Sequence, residues 1–252
     1  MIQISDLTKS FEGRTVLDRV EATFETGITN LIIGRSGSGK TVMMKSIIGL
    51  IRPDRGEILY DGRNILAMGK NELKSLRRET GMLFQGSALF DSMTVLENVM
   101  FPLDMFSREA ARDRRRRALF CLERVNLADA GDLYPSEISG GMMKRAAIAR
   151  AIALQPKYLL CDEPNSGLDP KTALVIDELI HGITQEYHMT TIVNTHDMNS
   201  VMNIGENIIF IREGVREWQG SKEQILSSGN AALNDFIFAS DRLRNARKPE
   251  EQ

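Results

Sequence analysis

Eight consecutive residues, Gly34-Arg35-Ser36-Gly37-Ser38-Gly39-Lys40-Thr41, carry the spacing G-x-x-x-x-G-K-[ST]. Glycines at those positions let successive backbone N–H groups turn toward one anion. Lys40 adds a point charge for β- and γ-phosphates, and the Thr41 hydroxyl can ligate a hard cation such as Mg²⁺. A second acidic site lies in Leu159-Leu160-Cys161-Asp162-Glu163. There Asp162 can hold a metal ion through water, while Glu163 is free to take a proton from an attacking water. Alone, that pair could equally be two solvated acids at a strand end; beside a phosphate loop the division of labour has a purpose. The third stretch is Ile138-Ser139-Gly140-Gly141-Met142. A serine and two glycines opening a helix direct a hydroxyl, free N–H groups and the helix dipole at one point, although a Ser-capped glycine break has the same residues. The two helix ends that face phosphate are far apart in sequence, on what read as different subdomains. A composite site between two copies of the chain uses both.

The elements that must position these residues follow from the pattern of apolar residues. Leu31-Ile32-Ile33 runs into the glycine-rich loop, and Val42 to Ile48 has helical composition, giving strand, loop and helix in the order that phosphate binding needs. Val20 to Phe24 alternates apolar and polar, and Glu57 to Tyr60 precedes Asp61-Gly62, a hairpin-turn pair, so the first part of the chain is expected to be partly antiparallel. From about Asp91 to Leu154 the pattern is helical, which predicts an inserted helical unit. Tyr158 to Cys161, Thr190 to Val193 and Ile208 to Ile211 are compact apolar runs separated by helical stretches, as in a parallel sheet covered on both faces. Glu213-Gly214 is expected to turn a last hairpin, and residues after about Gly229 read as helical and then charged.

Composition narrows the class of protein. The chain has 252 residues, with 32 Lys plus Arg against 34 Asp plus Glu, a formal net charge of −2. No basic field gathers nucleic acid, and none is expected as a partner. Two cysteines, Cys121 and Cys161, form neither a disulfide framework nor a metal cluster, which fits a reducing compartment. No secretory signal or run of membrane-spanning length is visible, so a cytoplasmic chain is expected. The run Arg112-Asp113-Arg114-Arg115-Arg116-Arg117 reads first as a solvated helix face, second as a contact for a subunit or anionic lipid. Phe236-Ile237-Phe238 either caps this domain or docks on a neighbour.

In order and spacing these motifs resemble the ATP-binding cassette (ABC) ATPases from about Ile2 to about Gly220. The resemblance implies an α/β fold: a P-loop NTPase, RecA-like core with an antiparallel β subdomain and an α-helical insertion subdomain. It places an ABC ATPase domain at 1–230, its helical subdomain at about 88–155, and a C-terminal helical and charged extension at 231–252. It also implies ATP and Mg²⁺ as ligands, and roles for further residues. Gln85 looks like the glutamine that touches Mg²⁺ and water, Phe11 like the ring that stacks on adenine, and His196 like the γ-phosphate histidine. Ser166-Gly167-Leu168-Asp169 resembles the D-loop. On this likeness the nucleotide-binding set is Phe11, Gly34, Arg35, Ser36, Gly37, Ser38, Gly39, Lys40, Thr41, Ser139, Gly140, Gly141 and Asp169. Thr41, Gln85 and Asp162 would serve the metal, and Glu163, His196, Gln85 and Lys40 the hydrolysis. His181 and His188 have no such setting and are expected at the surface.

Met142 stands where many members have Gln. Together with Ala88 to Val95 and Glu97-Asn98-Val99 it is similar to the ATPase subunits of Mla-type phospholipid transporters, which work with Mce-domain proteins. The expected partners are a second copy of the chain, integral membrane permease subunits and a lipid-binding Mce-type subunit, with the chain peripheral on the cytoplasmic face of the inner membrane. The alternatives are an ABC importer or exporter ATPase for another cargo, and a soluble ABC ATPase acting on nucleic acid or ribosomes. The latter usually carries two cassettes or a long coiled coil, and neither is present here. A P-loop kinase leaves Ser139-Gly140-Gly141 unexplained.

Overall fold

The computed structural model describes residues 1–238. Among the described residues ten strands and nine α-helices follow in the order β1 (Ile2–Phe11), β2 (Arg14–Phe24), β3 (Thr29–Ile33), α1 (Lys40–Ile47), β4 (Arg55–Tyr60), β5 (Arg63–Asn64), α2 (Lys70–Arg78), β6 (Thr80–Leu83), α3 (Val95–Phe106), α4 (Ala111–Arg124), α5 (Gly140–Ile152), β7 (Tyr158–Asp162), α6 (Pro170–Tyr187), β8 (Thr190–Thr195), α7 (Met198–Ile204), β9 (Asn207–Arg212), β10 (Val215–Gly220), α8 (Lys222–Ile225) and α9 (Ala231–Ile237).

The strands form two sheets. A four-stranded one has the order β2-β1-β4-β5, and a six-stranded one the order β10-β9-β3-β8-β7-β6. In the first, neighbours are antiparallel, and Asp61 and Gly62 both take positive φ in the β4–β5 turn, as a two-residue hairpin requires. In the second, β9, β3, β8, β7 and β6 pair in parallel, and the Glu213-Gly214 turn adds β10 antiparallel at the edge.

Alternation along the central strands divides the core. Leu31, Ile33, Leu159, Cys161, Val193, Ile208 and Phe210 face one cluster, built with residues of α3 to α9. Ile32, Leu160, Ile192, Ile209 and Ile211 face the other, completed by α1, α2 and the antiparallel sheet. Two-sided burial explains why β3 and β7 read as continuous apolar runs. Met93-Thr94-Val95, the one β-branched exception in the helical stretch, is resolved by Thr94 capping α3. Its hydroxyl accepts from Glu97 N–H at 3.2 Å, and Glu97 returns a carboxylate to Thr94 N–H at 2.8 Å.

At the other end of the chain Phe236 stacks on Phe210 with ring centroids 5.3 Å apart, and Leu233 and Ile237 are buried in the first cluster. This segment therefore caps its own domain. The charged end of the extension, 239–252, lies outside the described residues. Among the described residues no helix is long and apolar enough to cross a membrane.

Candidate functional site

The loop from Gly34 to Gly39 joins β3 to α1 at the carboxyl edge of the parallel sheet, where open α/β folds present their ligand sites. Gly39 precedes α1 with φ +107°, and a Cβ there would sit 2.9 Å from the Val16 carbonyl; at Gly34 it would sit 2.2 Å from the Ile211 carbonyl. Both positions exclude any side chain. No side chain caps α1 and its first turn holds no acid, so its leading N–H groups are left for an external anion. Lys40 is 5% exposed and donates to the carbonyls of Gly34 (2.8 Å) and Arg35 (3.1 Å). Burial lowers its pKa, and the charges of Glu163 and Asp162 act against that.

β7 ends at Asp162, whose Oδ1 accepts from Asn194 Nδ2 at 2.5 Å. Burial pushes the Asp162 carboxyl above the usual carboxylate range. Asn194 works against this, the Glu163 charge adds to it, and Lys45 and Lys40 pull it down. The buried Asp162 carboxylate and the exposed Thr41 hydroxyl are both oxygen donors of the kind a hard cation takes. Among the described residues no group of three His, Cys, Asp or Glu forms a protein cage for a metal.

Glu163 takes φ +50°, its N–H bonded to the Asn194 carbonyl at 2.9 Å. Its carboxylate meets His196 Nδ1 at 2.7 Å (Oε2) and 2.9 Å (Oε1). An ionised carboxylate only accepts, so Nδ1 carries the proton in this contact. Gln85 reaches across to Ser166, with 3.4 Å between Nε2 and Oγ.

Lys40, Thr41, Gln85, Glu163, Ser166 and His196 thus line one cleft of about 1140 Å³, together with Arg35 to Gly37, Gly39 and Val16. Asp162 stands just behind it, and Ser38 lines an adjoining cavity of about 660 Å³ with Gly37 and Arg212.

Phe11, Ser139, Gly140, Gly141 and Asp169, also named from the sequence, are not in the cleft wall. Phe11, at the end of β1, is 43% exposed with the Lys9 ammonium 5.1 Å from its ring centroid. Ser139 caps α5, its hydroxyl accepting from Met142 N–H at 3.3 Å, and Gly140 beside it is exposed. Gly141 has a packing reason to be glycine, since a Cβ there would lie 2.6 Å from Thr172 Cγ2 on α6. Asp169 caps α6, accepting from Lys171 N–H (3.0 Å), Thr172 N–H (3.1 Å) and the Thr172 hydroxyl (2.5 Å). These bonds, the Thr172 hydroxyl first, lower its pKa.

His181 is not fully at the surface as expected. It is half-buried, 3.2 Å from Thr29 Oγ1 and 3.6 Å from Glu206, because α6 turns that position toward the start of β3. His188 is exposed. In the arginine run, Arg114 pairs with Asp104 (2.7 Å), Arg116 with Asp113 (2.9 Å) and Arg117 with Glu109 (2.9 Å), while Arg112 and Arg115 are exposed. Cys161 is fully buried and desolvation pushes its thiol well above its ordinary value; burial takes Cys121 to about 11.

Several supporting residues escaped the sequence reading. Asn194 was signalled only as a polar residue inside an otherwise buried strand. Lys144, on the first turns of α5, donates to the Gln85 carbonyl, and Arg150 donates to those of Ser87 and Ala88 at 2.7 Å. The signal there was two cations on an Ala- and Ile-rich helix. Through these bonds α5 holds the segment that carries Gln85.

Similarity to known proteins agrees with this geometry. Residues 17–166 match the family described as "ABC transporter". The chain is 36% identical over 236 residues to the probable ribonucleotide transport ATP-binding protein mkl of Mycobacterium tuberculosis, covering 94% of the chain and 66% of that protein. It therefore spans just under two thirds of that relative. It is 37% identical over 237 residues to the intermembrane phospholipid transport system ATP-binding protein MlaF of Haemophilus influenzae, covering 94% of the chain and 90% of that relative. Among solved structures, the dimeric post-hydrolysis state of the ATP-binding cassette MJ0796 bound to ADP and Pi superposes with a TM-score of 0.81 at 34% identity, over 88% of this chain and 99% of that one. CbiO1 of Clostridium perfringens, part of the cbiONQ transporter complex, gives 0.84 at 25% identity, over 97% of each. With the phosphate loop, the acidic strand end and the Ser-Gly-Gly helix on this shared fold, the chain belongs to the ABC transporter family of ATP-binding proteins.

Proposed function

We propose that the chain binds ATP with Mg²⁺ and hydrolyses it as a head-to-tail pair, energising a separate membrane permease that moves phospholipid. The observation that carries this reading is the division of the site. Lys40, Gln85, Glu163 and His196 share one cleft, whereas Ser139 and Gly140 stand exposed at a different helix end that does not line it. A second copy can bring that helix end to the first copy's phosphates, and the dimeric cassette at TM-score 0.81 supports such a pairing.

In this reading the loop N–H groups and Lys40 hold the phosphates, with Lys40 exchanging its carbonyl partners for phosphate oxygens. Asp162, Thr41 and Gln85 would hold Mg²⁺, which would supply charge neutralisation to the phosphates. Glu163 takes the proton of the attacking water. His196, oriented by Glu163 through Nδ1, steadies the γ-phosphate. Phe11 offers a ring to adenine. Ser139 and Gly141 N–H groups complete the site from the other protomer, with Asp169 capping α6 beside them. Closure depends on the γ-phosphate, the charge that both helix ends share, so hydrolysis releases the pair.

Phospholipid as cargo is supported by the relative named for phospholipid transport, of which the chain covers 90%, against 66% for the one named for ribonucleotide transport. An Mce-type lipid-binding subunit and a place on the cytoplasmic face of the inner membrane belong to the same proposal. The test is purification from detergent-solubilised membranes with this chain as bait. An integral permease and a lipid-binding subunit carrying phospholipid are expected. A permease loaded with nucleotide would move the cargo to the second reading, and recovery with ribosomes or nucleic acid alone would overturn transport.

A further inference from the structure

Behind the cleft, three polar side chains from three segments meet away from water. Asp177 is 1% exposed and lies on the buried stripe of α6, flanked in the helix by Ala173, Ile176 and Ile180. Asn165 Nδ2 donates to Asp177 Oδ1 at 2.7 Å and to Ser200 Oγ at 3.0 Å, so one amide joins the other two groups, and Asp177 Oδ2 is buried with no hydrogen-bond partner. Asn165 follows Glu163 by two residues, and Ser200, on α7, follows His196 by four. A carboxylate on an apolar helix stripe is costly for the fold, and a valine or leucine there would pack without that cost.

The three groups span the interval between the two segments that form the hydrolytic contact. The turn after β7 is pinned at its start by the Glu163 N–H bond to Asn194, and at its end by Asn165 on Asp177. The helix after β8 is tied to the same cluster by Ser200, whose hydroxyl oxygen accepts from Asn165 at 3.0 Å. We propose that Asp177 is a positioning residue for ATP hydrolysis, bracketing the two turns so that Glu163 and His196 meet at 2.7 Å. This rests on the roles given above to Glu163 and His196. Asp177 is buried outside the cleft wall and acts through Asn165, which also holds Ser200.

A role confined to stability lowers the yield or melting temperature of folded protein and leaves turnover per folded molecule unchanged. A positioning role lowers kcat while leaving nucleotide affinity in place. The experiment compares Asp177→Leu, Asp177→Asn and Ser200→Ala in the full chain, alone and in its membrane complex, by phosphate release against ATP concentration and by nucleotide titration.

Asp177→Leu is expected to lower kcat roughly 10- to 100-fold, the scale of a misplacement of about 1 Å, with affinity unchanged within about threefold. Asp177→Asn should keep kcat within about threefold, because its amide oxygen still accepts from Asn165 and its NH₂ can donate to Asn165 Oδ1, which has no partner. The imidazole ¹⁵N shifts of His196, one of three histidines, should move in Asp177→Leu and not in Asp177→Asn.

Wild-type kcat in folded Asp177→Leu overturns the bracket, as does an Asn variant as impaired as the Leu one. If Asp177→Leu does not fold, Ser200→Ala decides: a several-fold kcat loss at unchanged affinity supports the bracket, and wild-type kcat overturns it. Glu163→Gln run alongside separates the two readings. Wild-type turnover there removes the site assignment itself, whereas its loss beside a wild-type Asp177→Leu removes the bracket alone.

Discussion

Replacing Glu163 by glutamine removes the proposed base and little else. Volume and carbonyl oxygen are retained, and the Glu163 N–H bond to Asn194 is a backbone bond that the substitution does not touch. General base catalysis by a positioned group contributes about 10²- to 10⁴-fold, which is about 3–5 kcal/mol of barrier. Hydrolysis should fall by that factor. Binding should hold or tighten, because Glu163 is a negative charge on the wall that faces the phosphates and raises the pKa of neighbouring Asp162. Loss of that charge leaves the Lys40 cradle intact and lowers repulsion toward the anion. The assay is phosphate release at saturating ATP, paired with equilibrium titration of ATP and sedimentation with and without nucleotide. The expected pattern is turnover lost, affinity equal or higher, and a dimer that persists with ATP. Turnover within about threefold of wild type would refute the assignment of the base.

Lys40→Ala should abolish tight nucleotide binding, since it deletes the one buried cation at the loop; an unchanged titration curve counts against the cradle. Ser139→Arg should block ATP-driven dimerisation while leaving the folded monomer, as Ser139 is exposed at the start of α5; an unchanged sedimentation profile with ATP argues against a composite site. Tyr60→Phe should lower stability by about 1 kcal/mol in urea unfolding, through loss of the buried bond from Tyr60 Oη to the Ile47 carbonyl at 2.8 Å. Asp177 has its carboxyl raised to about 6, by burial first and then by the charges of Asp197 and Glu178, while Ser200 and Asn165 lower it. Its folded-state pKa lies above the unfolded one, so its ionisation costs stability as pH rises from about 4 to about 6. Asp177→Asn should therefore stabilise the fold at pH 8, by up to about 3 kcal/mol, and lose that gain near pH 4; a gain independent of pH would contradict this.

The phosphate loop was legible in the sequence because its chemistry is local. Eight contiguous residues supply the backbone geometry, the cation and the hydroxyl, and the flanking apolar run fixes their place on the sheet. The same holds for Asp162-Glu163 at the end of β7 and for the Asp61-Gly62 and Glu213-Gly214 turns, where Gly62 and Gly214 take the positive φ that favours glycine. The buried second face of β3, β7 and β9 was likewise readable as continuous apolar runs.

What the sequence concealed is set by contacts between distant segments. Asn194 reads as one polar residue in a strand, and only the parallel register with β7 sets it opposite Asp162. Asp177 reads as one acid among the charged residues of a helix until its burial places it beside Asn165 and Ser200. His181 was expected outside because nothing local marks the approach of Thr29 and Glu206. The α5 cations bind backbone carbonyls, which have no sequence signature at all.

The central claim is that ATP is held between the loop of one protomer and the Ser-Gly-Gly helix end of the other. It is tested most directly by mixing a Ser36→Cys chain with a Ser139→Cys chain, each also carrying Glu163→Gln, and oxidising with and without ATP. The native Cys121 and Cys161 are buried and do not compete. The account predicts a disulfide-linked dimer of the two different chains that forms with ATP and is scarce without it. Equal linkage with and without ATP, or no linkage between the two chains when ATP is bound, would contradict it.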